Sequence, residues 1–496
     1  AEVSERRLLG NDIVLGTALV DMYAKCAQLE KAQDVFDKLS ARDVASWCAL
    51  IAGYAQYGFA NEALNCFNKM RGEGFVPDSV TFICILKACS SIRSLERGEE
   101  IHAEVRKRGL LEQNIVLGNA LVDMYSKCGA IQKAQEVFDK LPKHDIVSWN
   151  SLVAGYAEHG TTDETLSCFF KMKSAGFSPD AVTFICLLKV CGSIGYLKMG
   201  EAIHTEIHKK GLIKSNIVLG TALIDMYGKC GALVKAREVF EQLPVWDVVS
   251  WTALISAYAQ HGYCEEALNC FRQMQCGGFS PDKVTYTCIL KVCGSSMGTI
   301  HDGREIHMHI VREEFPEKDD MIKNALVDMY MKCSALVDAQ RMFNMLTTQG
   351  VAAWNTMITG YVHHGFPEIA LDYFDRMKCN GLPPDSDTFH YVLEAYNGSC
   401  LRTLDKGKER HIEILHQGYL KKDTLIGNAL LDMYSRLHAP LEAQEVFDVL
   451  PIRGVTSWTT FITGYLDQGK SVEPLKYFDC MQAEGVLSST LTLVYI

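Results

Sequence analysis

With 496 residues, 48% of them hydrophobic and 22% charged, the chain has the composition of a water-soluble, well-packed protein, and no apolar run approaches the ~20 residues that a membrane helix needs. Nineteen cysteines, an odd number in a long chain, argue against the disulfide framework of a small secreted domain and read as reduced thiols used as small apolar side chains. A formal net charge of −11 excludes a generic polyanion binder, so any affinity for phosphate must rest on local positive charge.

Residues 1–12 begin at Ala1, without an initiator Met, a signal-peptide apolar stretch or an Arg/Ser-rich transit segment, so a targeting sequence is expected outside them. They read as the end of a partial long repeat. From Ile13 onward the chain repeats. Trp47, Trp149, Trp251, Trp354 and Trp458 are separated by 102, 102, 103 and 104 residues, each in a phrase like Ser148-Trp-Asn-Ser-Leu-Val-Ala-Gly-Tyr156. A second phrase, Asn119-Ala-Leu-Val-Asp-Met-Tyr-Ser-Lys-Cys128, recurs from Thr17, Thr221, Asn324 and Asn428, and a third begins near Val80, Val182 and Val284. The period of 102 therefore divides into units such as Ile115–Asp145, Ile146–Asp180 and Ala181–Asn216, of 31, 35 and 36 residues. Fourteen complete units fit between Ile13 and Ser489, and residues 490–496 begin a further, truncated one.

Each unit predicts two helices. In Ile146–Asp180, Trp149, Leu152, Val153 and Tyr156 fall at helical spacing, Gly160 marks a turn, and Leu166, Phe169 and Met172 form a second stripe. Gly176-Phe-Ser-Pro-Asp180 ends the second helix and turns the chain. One hairpin cannot bury both stripes alone, so neighbours must stack. The predicted fold is all-α: a right-handed α-solenoid superhelix of about fourteen helical-hairpin repeats, with a concave groove lined by first helices as the binding face.

Units of 31, 35 and 36 residues, Gly-x-x-Pro-Asp closings and the Asn/Thr-Ala-Leu-x-Asp-Met-Tyr phrase together resemble the pentatricopeptide repeat family, and more narrowly its PLS subclass, over Ile13–Ser489. The resemblance implies binding of single-stranded RNA at about one base per repeat. It also implies that two residues per motif choose the base, one early in the first helix and one closing the motif. Here the pairs are Thr17/Asp43, Asn119/Asp145, Asn150/Asp180, Thr221/Asp247, Thr252/Asp282 and Asn355/Asp385. By analogy Asn/Asp favours uracil and Thr/Asp guanine, which implies U-U across Asn119 and Asn150 and G-G across Thr221 and Thr252. Four pairs depart from the pattern: Cys48/Asp78, Asn324/Gly350, Asn428/Gly454 and Thr459/Ser489. The longer motifs (Ile83/Asn114, Ile185/Asn216, Thr287/Asp319, His390/Asp423) are poor carriers of such a code. A structural explanation competes at every pair, because Asn and Thr also solvate helix starts and Pro-Asp also opens a turn.

The same resemblance assigns base sandwiching to Val116, Val147, Val218 and Val249, for which a buried core valine is the alternative. It assigns phosphate contacts to Lys25, Lys127, Lys229, Lys332 and Arg436, against the alternative of solvated cations at a helix end. His102-Ala-Glu104, His204-Thr-Glu206 and His411-Ile-Glu413 match half of a zinc-deaminase signature, but no Pro-Cys-x-x-Cys accompanies them, and their shared register reads as repeat packing. Recurrent cysteines at Cys84/Cys89, Cys186/Cys191 and Cys288/Cys293, and at Cys26, Cys128, Cys230 and Cys333, read as duplicated core positions. No catalytic site, metal or cofactor is expected within these residues. The sequence-based expectation is the site-recognition part of a mitochondrial or chloroplast C-to-U editing factor acting on organellar RNA, with a deaminase-bearing or editing-complex protein as a further partner and no membrane or DNA. Alternatives are an RNA-stabilising or ribosome-associated scaffold, and the N-terminal part of a full DYW-type cytidine deaminase.

Overall fold

The computed structural model describes residues 13–112, 114–213, 216–295, 300–313, 320–398, 404–466 and 472–486. The expected partial repeats at 1–12 and 490–496, and the motif-closing Asp319 and Ser489, lie outside the described residues. Among the described residues there are helices and no strand, and none of the helices is long and apolar enough to cross a membrane. The chain divides into two compact units, Ala1–Trp246 and Asp247–Ile496.

In the first unit, α1 (Ile13–Lys25) and α2 (Leu29–Asp37) make one hairpin, α3 (Val44–Gln56) and α4 (Ala60–Gly72) the next, and α5 (Ser79–Ser91) and α6 (Leu95–Lys107) the third. The pattern continues with α7 (Ile115–Lys127) and α8 (Ile131–Lys140), α9 (Ile146–His159) and α10 (Thr162–Ser174), α11 (Ala181–Ser193) and α12 (Leu197–Lys209), then α13 (Ile217–Lys229) and α14 (Leu233–Gln242). The second unit holds α15 (Val248–Gln260) and α16 (Cys264–Cys276), α17 (Lys283–Cys293) and α18 (Ile300–Arg312), α19 (Asp320–Lys332) and α20 (Leu336–Asn344), α21 (Val351–His363) and α22 (Pro367–Cys379). It ends with α23 (Ser386–Gly398) and α24 (Leu404–Gln417), α25 (Thr424–Arg436) and α26 (Pro440–Val449), α27 (Val455–Leu466) and α28 (Val472–Ala483).

Within each unit the first helix of a hairpin packs on the first helix of the next, from α1 to α13 and from α15 to α27. Second helices pack behind them, as α2 does on α1, α8 on α7 and α20 on α19. The sequence explains the layering. First helices such as α3, Val-Ala-Ser-Trp-Cys-Ala-Leu-Ile-Ala-Gly-Tyr-Ala-Gln, are apolar nearly all round and need neighbours on several sides. A second helix such as α2 carries one apolar stripe, in which Ala32 and Phe36 are buried, and turns its charges to water.

The recurrent tryptophan is a core device. Trp47, Trp149, Trp354 and Trp458 receive the edge of Phe36, Phe138, Phe343 and Phe447, with ring centroids 4.5, 4.7, 4.9 and 4.6 Å apart. Close backbone approach is built in as well: a Cβ on Gly118 of α7 would lie 2.3 Å from Leu141 Cδ2. The turn after the Asp-Met-Tyr helices uses a left-handed residue at one register, with φ of 59° at Ala27, 77° at Gly129, 72° at Gly231, 60° at Ser334 and 52° at His438. Three of these five are not glycine, so the conformation is set by the fold rather than by local preference.

Candidate nucleic-acid interface

The residue pairs expected to choose a base fall on the layer of first helices. Asn119 of α7 and Asn150 of α9 are buried, and each is held by the aspartate that closes its motif. Asn119 Nδ2 donates to Asp145 Oδ1 and Oδ2 at 3.1 and 3.2 Å, and Asn150 Nδ2 donates to both oxygens of Asp180 at 3.0 Å. In the second unit Asn355 Nδ2 donates to Asp385 Oδ1 at 3.0 Å.

Those aspartates also cap the helix that follows. Asp43, Asp145 and Asp247 accept the backbone N–H of Ser46, Ser148 and Ser250, and Asp78, Asp180, Asp282 and Asp385 accept that of Thr81, Thr183, Thr285 and Thr388. Capping and pairing therefore coexist on one carboxylate, and the structural explanation raised by the sequence is half of the answer. Burial pushes the Asp385 carboxyl up, but hydrogen bonds from the Thr388 backbone and hydroxyl and from Asn355 outweigh it and hold the group below its ordinary value.

The third-residue hydroxyls belong to the site, although the sequence reading passed over them. Thr183 Oγ1 donates to Asn150 Oδ1 at 2.6 Å, and Thr388 Oγ1 to Asn355 Oδ1 at 2.7 Å, so both ends of each amide are fixed. Asn428, whose motif closes on Gly454, is held by Ser457 Oγ at 2.7 Å instead. The signal was available: a Ser or Thr stands three residues after each of these aspartates, as a capping box requires.

Other expected pairs are not joined directly. Thr252 Oγ1 meets Thr285 Oγ1 at 2.5 Å, and Thr285 donates to Asp282 Oδ1 at 2.7 Å, so a hydroxyl bridges the pair. Thr17 Oγ1 finds no partner among the described residues, while Asp43 caps α3. Thr221 and Thr459 donate to the backbone oxygens of Ile217 and Val455, their own helix, one turn back. Asn324, whose motif closes on Gly350, keeps a buried Oδ1 without a partner among the described residues, as does Asn119.

Val116, Val147, Val218 and Val249 are 52–60% exposed, which rules out the buried-core alternative. Each stands three residues before Asn or Thr at the pairing position. In the second unit a cavity of about 520 Å³ collects these features, lined by Ala352 at the valine register, by Asn355 and Asp385, by Lys332, and by His363 and Tyr391.

The expected phosphate cations do not stand as free positive charge. Lys25, Lys127, Lys229 and Lys332 contact Asp21, Asp123, Asp225 and Asp328 at 2.6–2.8 Å, and Arg436 contacts Asp432 at 3.0 Å. The partner is the aspartate of the Asp-Met-Tyr phrase, four residues earlier on the same helix. The local charge expected from these residues is thus offset, although both members of each pair are reached by solvent.

The histidines of the His-x-Glu phrases serve packing. His102, His204 and His411 bring Nδ1 to the hydroxyl of Tyr125, Tyr227 and Tyr434 at 2.8, 2.8 and 3.0 Å. His307 does the same with Tyr330 at 2.7 Å, a fourth case that the His-x-Glu pattern misses because His309 replaces the glutamate. Burial pushes all four imidazoles below their ordinary value. The recurrent cysteines Cys89 and Cys191, buried, and Cys186, partly buried, have thiols pushed up to about 11, and buried Cys293 up to about 12, mainly by desolvation. One group among the described residues, His301, Asp302 and Glu305 on α18, brings three ligand atoms within 4.8 Å of one another, a spacing that helix surfaces often show without an ion.

Comparison with known proteins identifies the repeat. A family model described as PPR repeat family matches residues 42–91, 144–193, 246–295 and 349–397, and one described as PPR repeat matches 17–44, 119–146, 221–248 and 456–486. A pentatricopeptide repeat-containing protein of Arabidopsis thaliana is 33% identical over 490 residues, covering 98% of this chain and 70% of that protein. Another from the same plant, designated mitochondrial, is 33% identical over 91% of this chain and 43% of its own length. A third, designated chloroplastic, is 32% identical over 97% and 55%. The chain thus spans about half the length of several relatives. The crystal structure of the maize pentatricopeptide repeat protein PPR10 aligns with a TM-score of 0.57 at 19% identity, over 97% of this chain and 80% of that one, and shares its all-α solenoid fold. With two family models recurring at the tryptophan period and a relative 33% identical over 98% of this chain and 70% of its own length, the chain belongs to the pentatricopeptide repeat family.

Proposed function

We propose that the chain binds single-stranded RNA sequence-specifically, at about one base per repeat, and that it is the site-recognition part of an organellar C-to-U editing factor. The observation that carries the reading is an exposed valine three residues from a fixed polar group, as Val147 stands to Asn150. An apolar side chain open to solvent offers a surface on which a base can stack, and a positioned amide offers its edge a hydrogen bond. Asn150 Nδ2 has two hydrogens, and Asp180 holds the amide so that the group meets a base in one orientation. An amide donor suits the carbonyl of uracil, and the bridged Thr252 hydroxyl, whose oxygen can accept from a base N–H, is assigned to guanine.

The alternation of 31-, 35- and 36-residue units supports the editing role, and the mitochondrial and chloroplastic designations of relatives support an organellar location. A deaminase that acts at the chosen site is a partner or a further part of the protein. The test is a mobility shift comparing an RNA that carries U-U and G-G blocks at the spacing of Asn119/Asn150 and Thr221/Thr252 with a scrambled RNA of equal composition. Preferential binding of the ordered RNA is expected, and equal affinity overturns the code. Asn150→Thr should move preference at one base from U toward G; an unchanged preference makes that residue purely structural.

A further inference from the structure

In the units 146–180 and 248–282, the second residue of the unit and the second residue of the unit that follows are exposed valines, Val147 with Val182 and Val249 with Val284. In the unit 351–385 both are lost: Ala352 and the exposed Asp387 stand in their places, although Asn355 and Asp385 keep the pairing. Aromatic rings enter nearby. Tyr391, on the same face of α23 as Asp387 and one turn on, replaces Cys186 and Cys288, and His363 at the end of α21 replaces Glu158 and Gln260. Tyr391 and His363 line the cavity of about 520 Å³ together with Ala352, Asn355, Asp385 and Asp387. The Tyr391 ring is half-buried, and the imidazoles of His363 and His390 meet it edge to face, with centroids 6.4 and 5.4 Å away.

We propose that Tyr391 is the stacking surface for the base that Asn355 reads, taking over at this unit the part that the exposed valines have elsewhere. The inference rests on the reading of the array as an RNA-binding surface. An edge-to-face contact sets the tilt of a ring without stacking on its face, so His363 and His390 position Tyr391 and do not fill the place of a base. A carboxylate at the valine register, Asp387, has no apolar surface to offer, and Ala352 has little. The ring of Tyr391 restores that surface one turn along, within the same cavity as the fixed amide of Asn355. Every base has a π face, so the tyrosine contributes affinity without choosing among bases, and the choice stays with Asn355.

The experiment measures the whole chain by fluorescence anisotropy against the ordered RNA, extended to the unit of Asn355, and against copies in which one nucleotide lacking its base is moved along the strand. At the position facing Asn355 the missing base should weaken the wild type about tenfold. Tyr391→Cys, which installs the side chain of the Cys186 and Cys288 register, should bind the intact RNA about tenfold more weakly and lose nothing further at that position. Its preference among the four bases there should remain that of the wild type. Tyr391→Leu, of similar bulk but without a ring, should behave as Tyr391→Cys does, and Tyr391→Phe should keep both the affinity and its dependence on the base; circular dichroism checks each fold. An affinity that Tyr391→Cys and Tyr391→Leu leave intact overturns the proposal. So does a loss equally large with and without the base, which makes Tyr391 a packing residue. Where the wild type prefers the ordered to the scrambled RNA, these two results strike the stacking role alone. A wild type that binds no RNA takes down the RNA-binding reading and this inference with it.

Discussion

Asp123 restrains the cation expected to hold phosphate, so its removal should strengthen RNA binding. Lys127 Nζ lies 2.8 Å from Asp123 Oδ2, and Lys25 and Lys229 stand in the same relation to Asp21 and Asp225. These pairs are surface contacts one helical turn apart, each contributing about 0.3–0.5 kcal/mol to stability, so Asp123→Asn leaves the fold intact. A phosphate bound by Lys127 would lie roughly 6 Å from the Asp123 carboxylate, where repulsion in water is about 0.7 kcal/mol. Its loss corresponds to about threefold tighter binding, and three such substitutions acting independently to about 30-fold. Lys127→Ala should act in the opposite direction and flatten the plot of log affinity against log salt by about 0.7. The assay is fluorescence anisotropy with labelled RNA between about 50 and 200 mM salt, the range over which phosphate contacts are most visible. An Asp123→Asn variant that binds no tighter, beside a Lys127→Ala variant with an unchanged salt slope, refutes the assignment of this register to phosphate.

Three further outcomes follow from the packing. Ala27, Ser334 and His438 hold left-handed backbone that costs a non-glycine residue about 1–2 kcal/mol, so glycine at any one of them should raise stability by about 0.5–1 kcal/mol after its own entropy cost. Denaturant titration checks this, and a loss of stability at Ala27→Gly contradicts it. The four histidines paired with tyrosine have folded values below the unfolded one of about 6.5, so the unfolded chain binds protons first. Their stabilising contribution is complete above that value and declines as pH falls through the folded value; the melting temperature should drop below pH 6.5, less steeply when His204 and His411 are glutamine. Thr183→Val leaves the buried Asn150 Oδ1 without its donor and should cost about 1–3 kcal/mol in a thermal melt, whereas a neutral result would show that water replaces the hydroxyl.

The hairpins and the pairing positions were legible in the sequence because duplication writes each constraint several times. Trp149 alone is a core aromatic; five tryptophans at one spacing fix the period, and the Asn/Thr alternation then stands out on a constant background. The valines were ambiguous for a definite reason. Position two of a first helix follows an apolar residue in all four cases, and periodicity on a helix that is apolar nearly all round does not separate a lining valine from a core one. The pairing of Lys127 was not foreseen for a different reason: Asp123 was treated as part of a motif rather than as the i−4 neighbour of a cation. Thr183 was missed because a capping box accounts for a hydroxyl without requiring that it also reach into the preceding motif.

Those hydroxyls bear on which positions can read a base. A recognition group contributes specificity when it is held before the ligand arrives, since an amide free to flip can present either its donor or its acceptor. Asn150 and Asn355 are held at both ends, by aspartate and threonine. Asn119 is held by Asp145 alone and Asn428 by Ser457 alone, while Asn324 has neither, because Gly350 and Ala353 replace both partners. Discrimination should therefore decline in that order, although all five positions carry the same residue. The aspartate is the wrong place to probe this, because its loss also removes the cap of the following helix and mixes folding with recognition. The third-residue hydroxyl shares that defect, since it accepts the backbone N–H of Asp180 or Asp385 as the other half of the cap. The asparagine caps no helix, and it is there that the array divides stability from reading.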